Sequence, residues 1–280
     1  MQHRNAKFRA PLFGAVAVLD PVEPVLPEQF NVEVRLLGGF CASVHGSSIE
    51  HWSSQRARSA FKYLVTHREA PVRRETLMAA FWPDAQPESA RNNLNVAMHS
   101  LRKSLRSAAD GHPTVLYGKG AYRLSPELKV WTDVSEFDRQ LTSSRWSADD
   151  PLAAREALSA AVRLYRGDFF EDDPLQEWAI PEMERLVAAY VAALLELTAL
   201  DLDAGCFEAC SAHAHAALRR DRCLEEAHRL LMLCHARQGR PHLALRQFQA
   251  CTTAMTQELD TAPSAALTSL RDEIRQHRPV

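Results

Sequence analysis

Glycine is scarce in this 280-residue chain, at 10 residues, and only six cysteines are scattered along it. The shortage of glycine argues against a repetitive all-β or low-complexity protein, and with a second half rich in Ala, Leu and Arg it favours helices. Cysteines without a compact spacing pattern, in a chain this long, read as reduced thiols of a cytoplasmic protein and not as a disulfide framework. No apolar run approaches the roughly 20 residues that span a bilayer, which excludes a membrane-spanning helix. The apolar stretch from Leu12 to Leu19 has no cleavage site, and Pro11, Pro21, Pro24 and Pro27 break up its surroundings, so residues 1–30 read as a poorly ordered leader and not a signal peptide. Enzyme signatures are missing as well. There is no Gly-x-Ser-x-Gly, no His-Glu-x-x-His, no paired-carboxylate arrangement, and Gly118-Lys119-Gly120 is too short for a phosphate loop. Neither catalysis nor a cofactor is expected.

What is present is an uneven distribution of charge. The formal net charge is -2, but residues 31–147 carry 16 basic and 11 acidic side chains, whereas residues 148–280 carry 14 basic and 21 acidic ones. A basic module joined to an acidic one is the arrangement of a phosphate-binding domain with a protein- or ligand-facing partner. The positive charge concentrates on one element. From Ser89 to Ala109 there is no Asp or Glu, while Leu94, Met98, Leu101 and Leu105 recur at helical spacing as a single apolar stripe. Pro87 and Glu88 suit that helix's first turn. Opposite the stripe lie Asn92, Val96, His99 and Lys103, flanked by Asn95 and Arg106 on one side and by Asn93 and Ser100 on the other. Amide side chains can pair with adenine edges and valine can touch a thymine methyl, while Arg91 and Arg102 at the margins suit phosphates. Taken alone, the run has an equally good reading as a solvated face with incidental cations.

The neighbouring elements decide between the two. Asn31 to Val44 alternates around Gly38-Gly39 as short strands, and Ser53 or Ser54 caps a helix to about His67 with Ala57, Ala60, Phe61, Leu64 and Val65 inward. The chain restarts at Pro71-Val-Arg-Arg-Glu75, and a short helix with Leu77, Met78, Phe81 and Trp82 is halted by Pro83. After the basic helix, Thr114–Tyr117 and Ala121–Leu124 form a hairpin around Gly118-Lys119-Gly120. Strands, three helices and a hairpin with a basic tip is the order of a winged helix-turn-helix.

The stretch Trp82-Pro83, Ala90-Arg-Asn-Asn-Leu-Asn-Val-Ala-Met-His-Ser-Leu-Arg-Lys-Ser-Leu105 and Gly118-Lys-Gly-Ala-Tyr-Arg-Leu124 resembles the DNA-binding domain of response-regulator-type winged helices, in the version carried by the SARP regulators. The resemblance implies a recognition helix over Pro87–Ala108 and a wing over Thr114–Leu124. Lys119 and Arg123 would then sit on the wing near phosphate or the minor groove, and the loop Pro83-Asp-Ala-Gln-Pro87 would face RNA polymerase. Such regulators commonly occupy direct repeats, which implies a homodimer that no heptad in this sequence carries by itself.

Beyond Ser147 the pattern turns to amphipathic helices, over Leu152–Tyr165, Pro181–Ala204, Leu224–Gln238 and Pro263–His277. Gly205 and Gly239 are 34 residues apart, the period of a tetratricopeptide-like repeat, and that offset aligns Cys210 with Ala244 and Ala217 with Cys251. Leu164-Tyr-Arg-Gly-Asp-Phe-Phe170, Glu177-Trp178, Glu225-Glu-Ala-His-Arg-Leu-Leu-Met232 and Gly239 with Ala244-Leu245 resemble the bacterial transcriptional activator domain over 131–277. Cys206, Cys210 and His213 share a helix face, but their spacing is not that of a structural zinc site, so packing is the better reading and no metal is expected. His228 reads as a hydrogen-bonded packing residue, and Glu171-Asp172-Asp173 as a solvated loop.

The expectation is therefore a mainly α protein with a small β component. Residues 31–124 form a winged helix on double-stranded promoter DNA, and 131–277 a helical-repeat domain for protein contacts. Its function would be a DNA-binding transcriptional regulator, as an activator that contacts RNA polymerase. The competing reading is a helical-repeat scaffold or ligand-responsive sensor whose winged helix binds protein.

Overall fold

The computed structural model describes residues 31–106, 113–147, 149–173 and 177–278, so the leader expected over residues 1–30 lies outside them. The alternating Val32 and Val34 bury one face of β1 (Val32–Arg35), which pairs antiparallel with β2 (Cys41–Val44), itself paired with β3 (Ser47–Ser48). Ser54 caps α1 (Gln55–Thr66), accepting a hydrogen bond from the Ala57 amide at 3.1 Å. All five residues expected to face inward from this helix are buried. The restart at Pro71 is a short strand, β4 (Val72–Arg73), followed by α2 (Arg74–Phe81). The basic helix is α3 (Pro87–Arg106), and residues 107–112, where its C-terminal end was expected, are outside the described residues. Leu94, Met98, Leu101 and Leu105 are each at most 1% exposed, so the apolar stripe is the helix's packing seam. The wing is the hairpin of β5 (Val115–Gly118) and β6 (Ala121–Leu124), with β4 on the outer side of β6. Strands, three helices and a hairpin make the winged helix-turn-helix read from the sequence.

The second module begins by joining the first. Strand β7 (Val130–Thr132) adds to β1 in parallel, completing a four-stranded sheet in the order β3-β2-β1-β7. Directly after it, Asp133 opens α4 (Asp133–Trp146) and turns its buried carboxylate back onto the Leu36 and Leu37 amides at 2.8 and 3.0 Å. Burial pushes that carboxyl up, and the two amides partly offset the push. Neither β7 nor α4 was among the expected elements. A three-residue strand has too little alternation to read, and α4 has only Val134, Phe137 and Leu141 to mark its inner face.

The remaining helices are α5 (Pro151–Leu164), α6 (Ile180–Asp203), α7 (Phe207–Arg220), α8 (Glu225–Arg237), α9 (Pro241–Leu259) and α10 (Ala265–Arg275), packed largely in sequence order. Gly205 and Gly239 end α6 and α8 with φ of +69° and +70°, a left-handed turn that glycine makes without strain. The 34-residue offset thus repeats a conformation as well as a letter. Cys210, Ala244, Ala217 and Cys251 are all fully buried, the small residues where paired helices approach.

A single apolar cluster runs from Val32 through Leu105 to Leu186, so the winged helix and the first helices of the second module share one core. The expected solvated loop at Glu171-Asp172-Asp173 requires a correction: Asp172 and Asp173 pair with Arg58 and Lys62 on α1. A charge run in a sequence does not reveal a counter-ion more than 100 residues away.

Candidate nucleic-acid interface

Because α3 buries Leu94, Met98, Leu101 and Leu105, helical geometry forces its other face outward. Arg91, Asn92, Asn93, Asn95, Val96, His99 and Lys103 are exposed and Ser100 is half-buried. Val96 is 67% exposed, an apolar side chain held in water on an otherwise polar face. Among the described residues, no ion pair or side-chain hydrogen bond engages Arg91, Asn92, Asn93, Asn95, His99 or Lys103. The C-terminal part of the helix is tied to the residue just ahead of the α1 cap, where the Ser53 amide donates to Ser104 Oγ at 2.9 Å. The outer face of α3 thus stands on a helix whose other side is packed into the core.

The wing is braced against this helix by a residue assigned to phosphate contact. Arg102 is half-buried; its Nε donates to the Val115 carbonyl at 3.1 Å and its guanidinium lies 6.0 Å from the Tyr122 ring centroid. Its first role is therefore to join α3 to the wing. At the tip, Lys119 and Gly120 have φ of +52° and +77°, the consecutive positive values of a type I′ turn, and the exposed Lys119 side chain has no partner among the described residues.

Arg123 lies on the wing, on the face opposite Tyr122. In β6 it sits opposite Leu116, whereas Tyr122 sits opposite Tyr117 and faces Arg102. Successive side chains of a strand point to opposite faces, so Arg123 turns away from α3. It lines a cleft of about 310 Å³ with Arg68, Glu69, Pro71 and Leu128. Conversely, the sequence reading passed over Arg73, Arg74 and Tyr117. The Arg74 amide donates to the Gly120 carbonyl at 3.0 Å, which sets this dibasic pair beside the wing tip, and the exposed Tyr117 packs on Tyr122 with centroids 4.6 Å apart. The signal was the Arg-Arg pair ahead of a helix start.

The metal and histidine candidates have structural positions. Cys210 is buried with Leu202, Leu230 and Cys234, and burial pushes its thiol up to about 12, an inert packing group. His213 Nδ1 lies 2.8 Å from Asp201, which also accepts from Arg155 Nε at 2.5 Å. Among the described residues no group of three or more His, Cys, Asp and Glu side chains is arranged to hold a metal ion. His228 Nε2 donates to the Arg222 carbonyl at 3.0 Å and its Nδ1 accepts from Gln247 at 2.7 Å, the packing role expected of it. No helix among the described residues is long and apolar enough to cross a membrane.

Comparisons with known proteins give the same two modules in the same order. A family model described as "Transcriptional regulatory protein, C terminal" matches residues 51–122, and one described as "Bacterial transcriptional activator domain" matches residues 132–275. The transcriptional regulatory protein EmbR of Mycobacterium tuberculosis, strain H37Rv, is 24% identical over 254 residues, covering 89% of this chain and 65% of its own length. The same protein of Mycobacterium bovis matches to the same extent. The chain thus spans about two thirds of the length of these relatives. The solved structure of M. tuberculosis EmbR in complex with a low affinity phosphopeptide superposes with a TM-score of 0.76 at 24% identity, covering 89% of this chain and 66% of that one, which shows the fold. The activator-domain match takes in more than half of the chain behind a winged helix, in a family of regulators and not of enzymes, and the protein belongs to the bacterial transcriptional activator domain family as a transcriptional regulator of the SARP type.

Proposed function

We propose that this regulator binds double-stranded promoter DNA through α3, with the wing alongside. The observation that carries the reading is the unpaired outer face of α3, where exposed amides, His99, Lys103 and an exposed Val96 stand on a helix whose other side is locked into the core. In this reading Asn92, Asn93, Asn95, Val96, His99, Ser100 and Lys103 meet base edges in the major groove, while Arg91 and Lys119 hold phosphates. Arg102 acts chiefly as the brace of the wing. Arg123 belongs to the opposite cleft and contributes, at most, long-range attraction. The loop Pro83–Pro87, with Trp82 covered by Arg56 at 5.5 Å, is the surface that the family resemblance assigns to RNA polymerase, and activation through that contact is part of the proposal. A dimer on direct repeats is its assembly on DNA.

The test is a gel-shift titration over a salt series, against DNA selected from a random pool and against unselected DNA. Asn95→Ala and His99→Ala should change base preference at defined positions, by about 1–3 kcal/mol per lost contact. Arg91→Ala and Lys119→Ala should weaken all sequences alike and lower the salt slope by about one unit each. Binding that is absent, or indifferent to salt, would replace this reading with that of a helical-repeat scaffold whose winged helix binds protein.

A further inference from the structure

The segment from Arg166 to Asp173, between α5 and α6, does not behave as a connecting loop. It lies along residues 36–40 of the winged helix as an added strand: the Gly38 amide donates to the Asp168 carbonyl at 3.0 Å, Leu37 bridges Phe169, and the Phe170 amide donates to the Leu36 carbonyl at 2.9 Å. Phe169 and Phe170 are at most 2% exposed and belong to the shared core. Phe170 has φ of +55°, a costly conformation for a bulky residue that persists only where its surroundings over-determine it. Gly167 passes so close to Gly38 that an added Cβ would lie 3.0 Å from the Gly38 Cα.

Beneath this segment sits Lys62, whose side chain is fully buried in α1. Its Nζ lies 4.7 Å from the Phe40 ring centroid and 4.5 Å from that of Phe170. Its counter-ions both come from the second module, Asp172 at 3.5 Å and Asp173 at 3.7 Å. Asp172 also pairs with Arg58 and accepts from the Phe40 amide at 3.2 Å. A buried ammonium deprived of its carboxylates is strongly unfavourable, so the segment can close over a charged Lys62 only by bringing Asp172 and Asp173 with it.

We propose that Arg166–Asp173 is a strap by which the helical domain governs the order of the winged helix, with Lys62 as the pin that makes docking all-or-none. The route is a packed one. α1 carries Lys62 and Arg58 towards the strap, packs Tyr63 at a tilt on Trp178 with ring centroids 4.7 Å apart, and packs against α3, with the Ser53–Ser104 hydrogen bond closing that contact. Undocking the strap removes one side of the layer that supports α3. A ligand or partner that favours one strap position thereby biases the reading helix without touching it. This coupling holds whatever α3 binds.

Hydrogen exchange on the full chain tests it, with variants D172N/D173N, the same pair carrying K62M, and G167A. In D172N/D173N, amides of 166–173, α1 and α3 should exchange at least tenfold faster while α8 and α9 are unchanged. K62M, which replaces the stranded charge with an apolar chain of similar length, should bring those amides back to within about threefold of the parent. G167A should loosen the same segments, because its Cβ would meet the Glu171 carboxylate and the Gly38 Cα, and adding K62M to it should restore nothing. Should D172N/D173N fail to fold, recovery of a folded chain on adding K62M supports the pin, and failure to recover overturns it. Unchanged exchange in α3, equal acceleration in α8 and α9, or rescue of G167A by K62M would each overturn the proposal.

Discussion

The cations on the outer face of α3 and many of those in the helical domain are placed in opposite ways. In the helical domain many arginines meet carboxylates, among them Arg155 with Asp201, Arg185 with Asp138 and Glu182, Arg229 with Glu226, Arg237 with Asp203 and Arg271 with Asp272. On the outer face of α3 and at the wing tip, Arg91, Lys103 and Lys119 meet none among the described residues. The cause is visible in the sequence, since the acid-free run from Ser89 to Ala109 leaves α3 no acid of its own beyond its first turn. A net charge cannot distinguish the two situations, because the count is the same whether a guanidinium is neutralised within the fold or left to an external anion. Position relative to the apolar stripe does distinguish them.

The sharpest way to break the comparison is to exchange the two sides of α3. Leu101→Ala empties a fully buried site in the core beneath the outer face of α3 and should cost about 2–5 kcal/mol in denaturant unfolding. Val96→Ala, at the same helix's exposed face, should stay within about 0.5 kcal/mol of the parent while altering base preference. If the two variants were equally destabilised, the outward face would be a packing surface and its reading as an interface would fall.

A smaller effect separates the modules by pH. Burial holds His228 below its ordinary value of 6.5, and its hydrogen bonds with Arg222 and Gln247 fit the neutral ring. A folded-state value lower than the unfolded one means that the unfolded chain binds the extra proton first as pH falls. The stabilisation is thus complete above about pH 6.5 and is lost progressively as pH falls from there towards the folded value. Thermal unfolding of the parent should show that acid loss, and His228→Gln should flatten it. An unchanged profile in the variant would assign the acid sensitivity elsewhere.

How much of this was legible depended on periodicity. The stripe on α3, the inward face of α1, the hairpin turn and the 34-residue glycine offset are local patterns, and each appears in the fold as read. The strand β7, the helix α4 and the strap at Arg166–Asp173 were not legible, because β7 and the strap are short and held by partners about 100 residues away or more, while α4 is weakly periodic. The site residues divide in the same way. The outward face of α3 follows from helical spacing. Arg102 was read as a phosphate ligand because its partner, the Val115 carbonyl, belongs to a strand the spacing of α3 cannot see. Arg123 was placed on the wing with Lys119, and it is there, but which face of the hairpin it takes was not legible: moving one residue along a strand reverses the side.

The finest test compares a paired arginine with an unpaired one. Arg229 and Glu226 form an exposed pair one turn apart on α8, so Arg229→Ala should cost only about 0.3–0.5 kcal/mol of stability and leave the salt slope of DNA binding unchanged. Arg91→Ala removes a cation with no counter-ion among the described residues, so stability should not fall, while DNA affinity drops for every sequence alike. The two substitutions delete the same group from helices that are both well formed. A loss of stability in the Arg91 variant matching that of the Arg229 variant would show a carboxylate partner for Arg91 in solution, and the contrast between a neutralised domain and an open reading face would then rest on Lys103 and Lys119 alone.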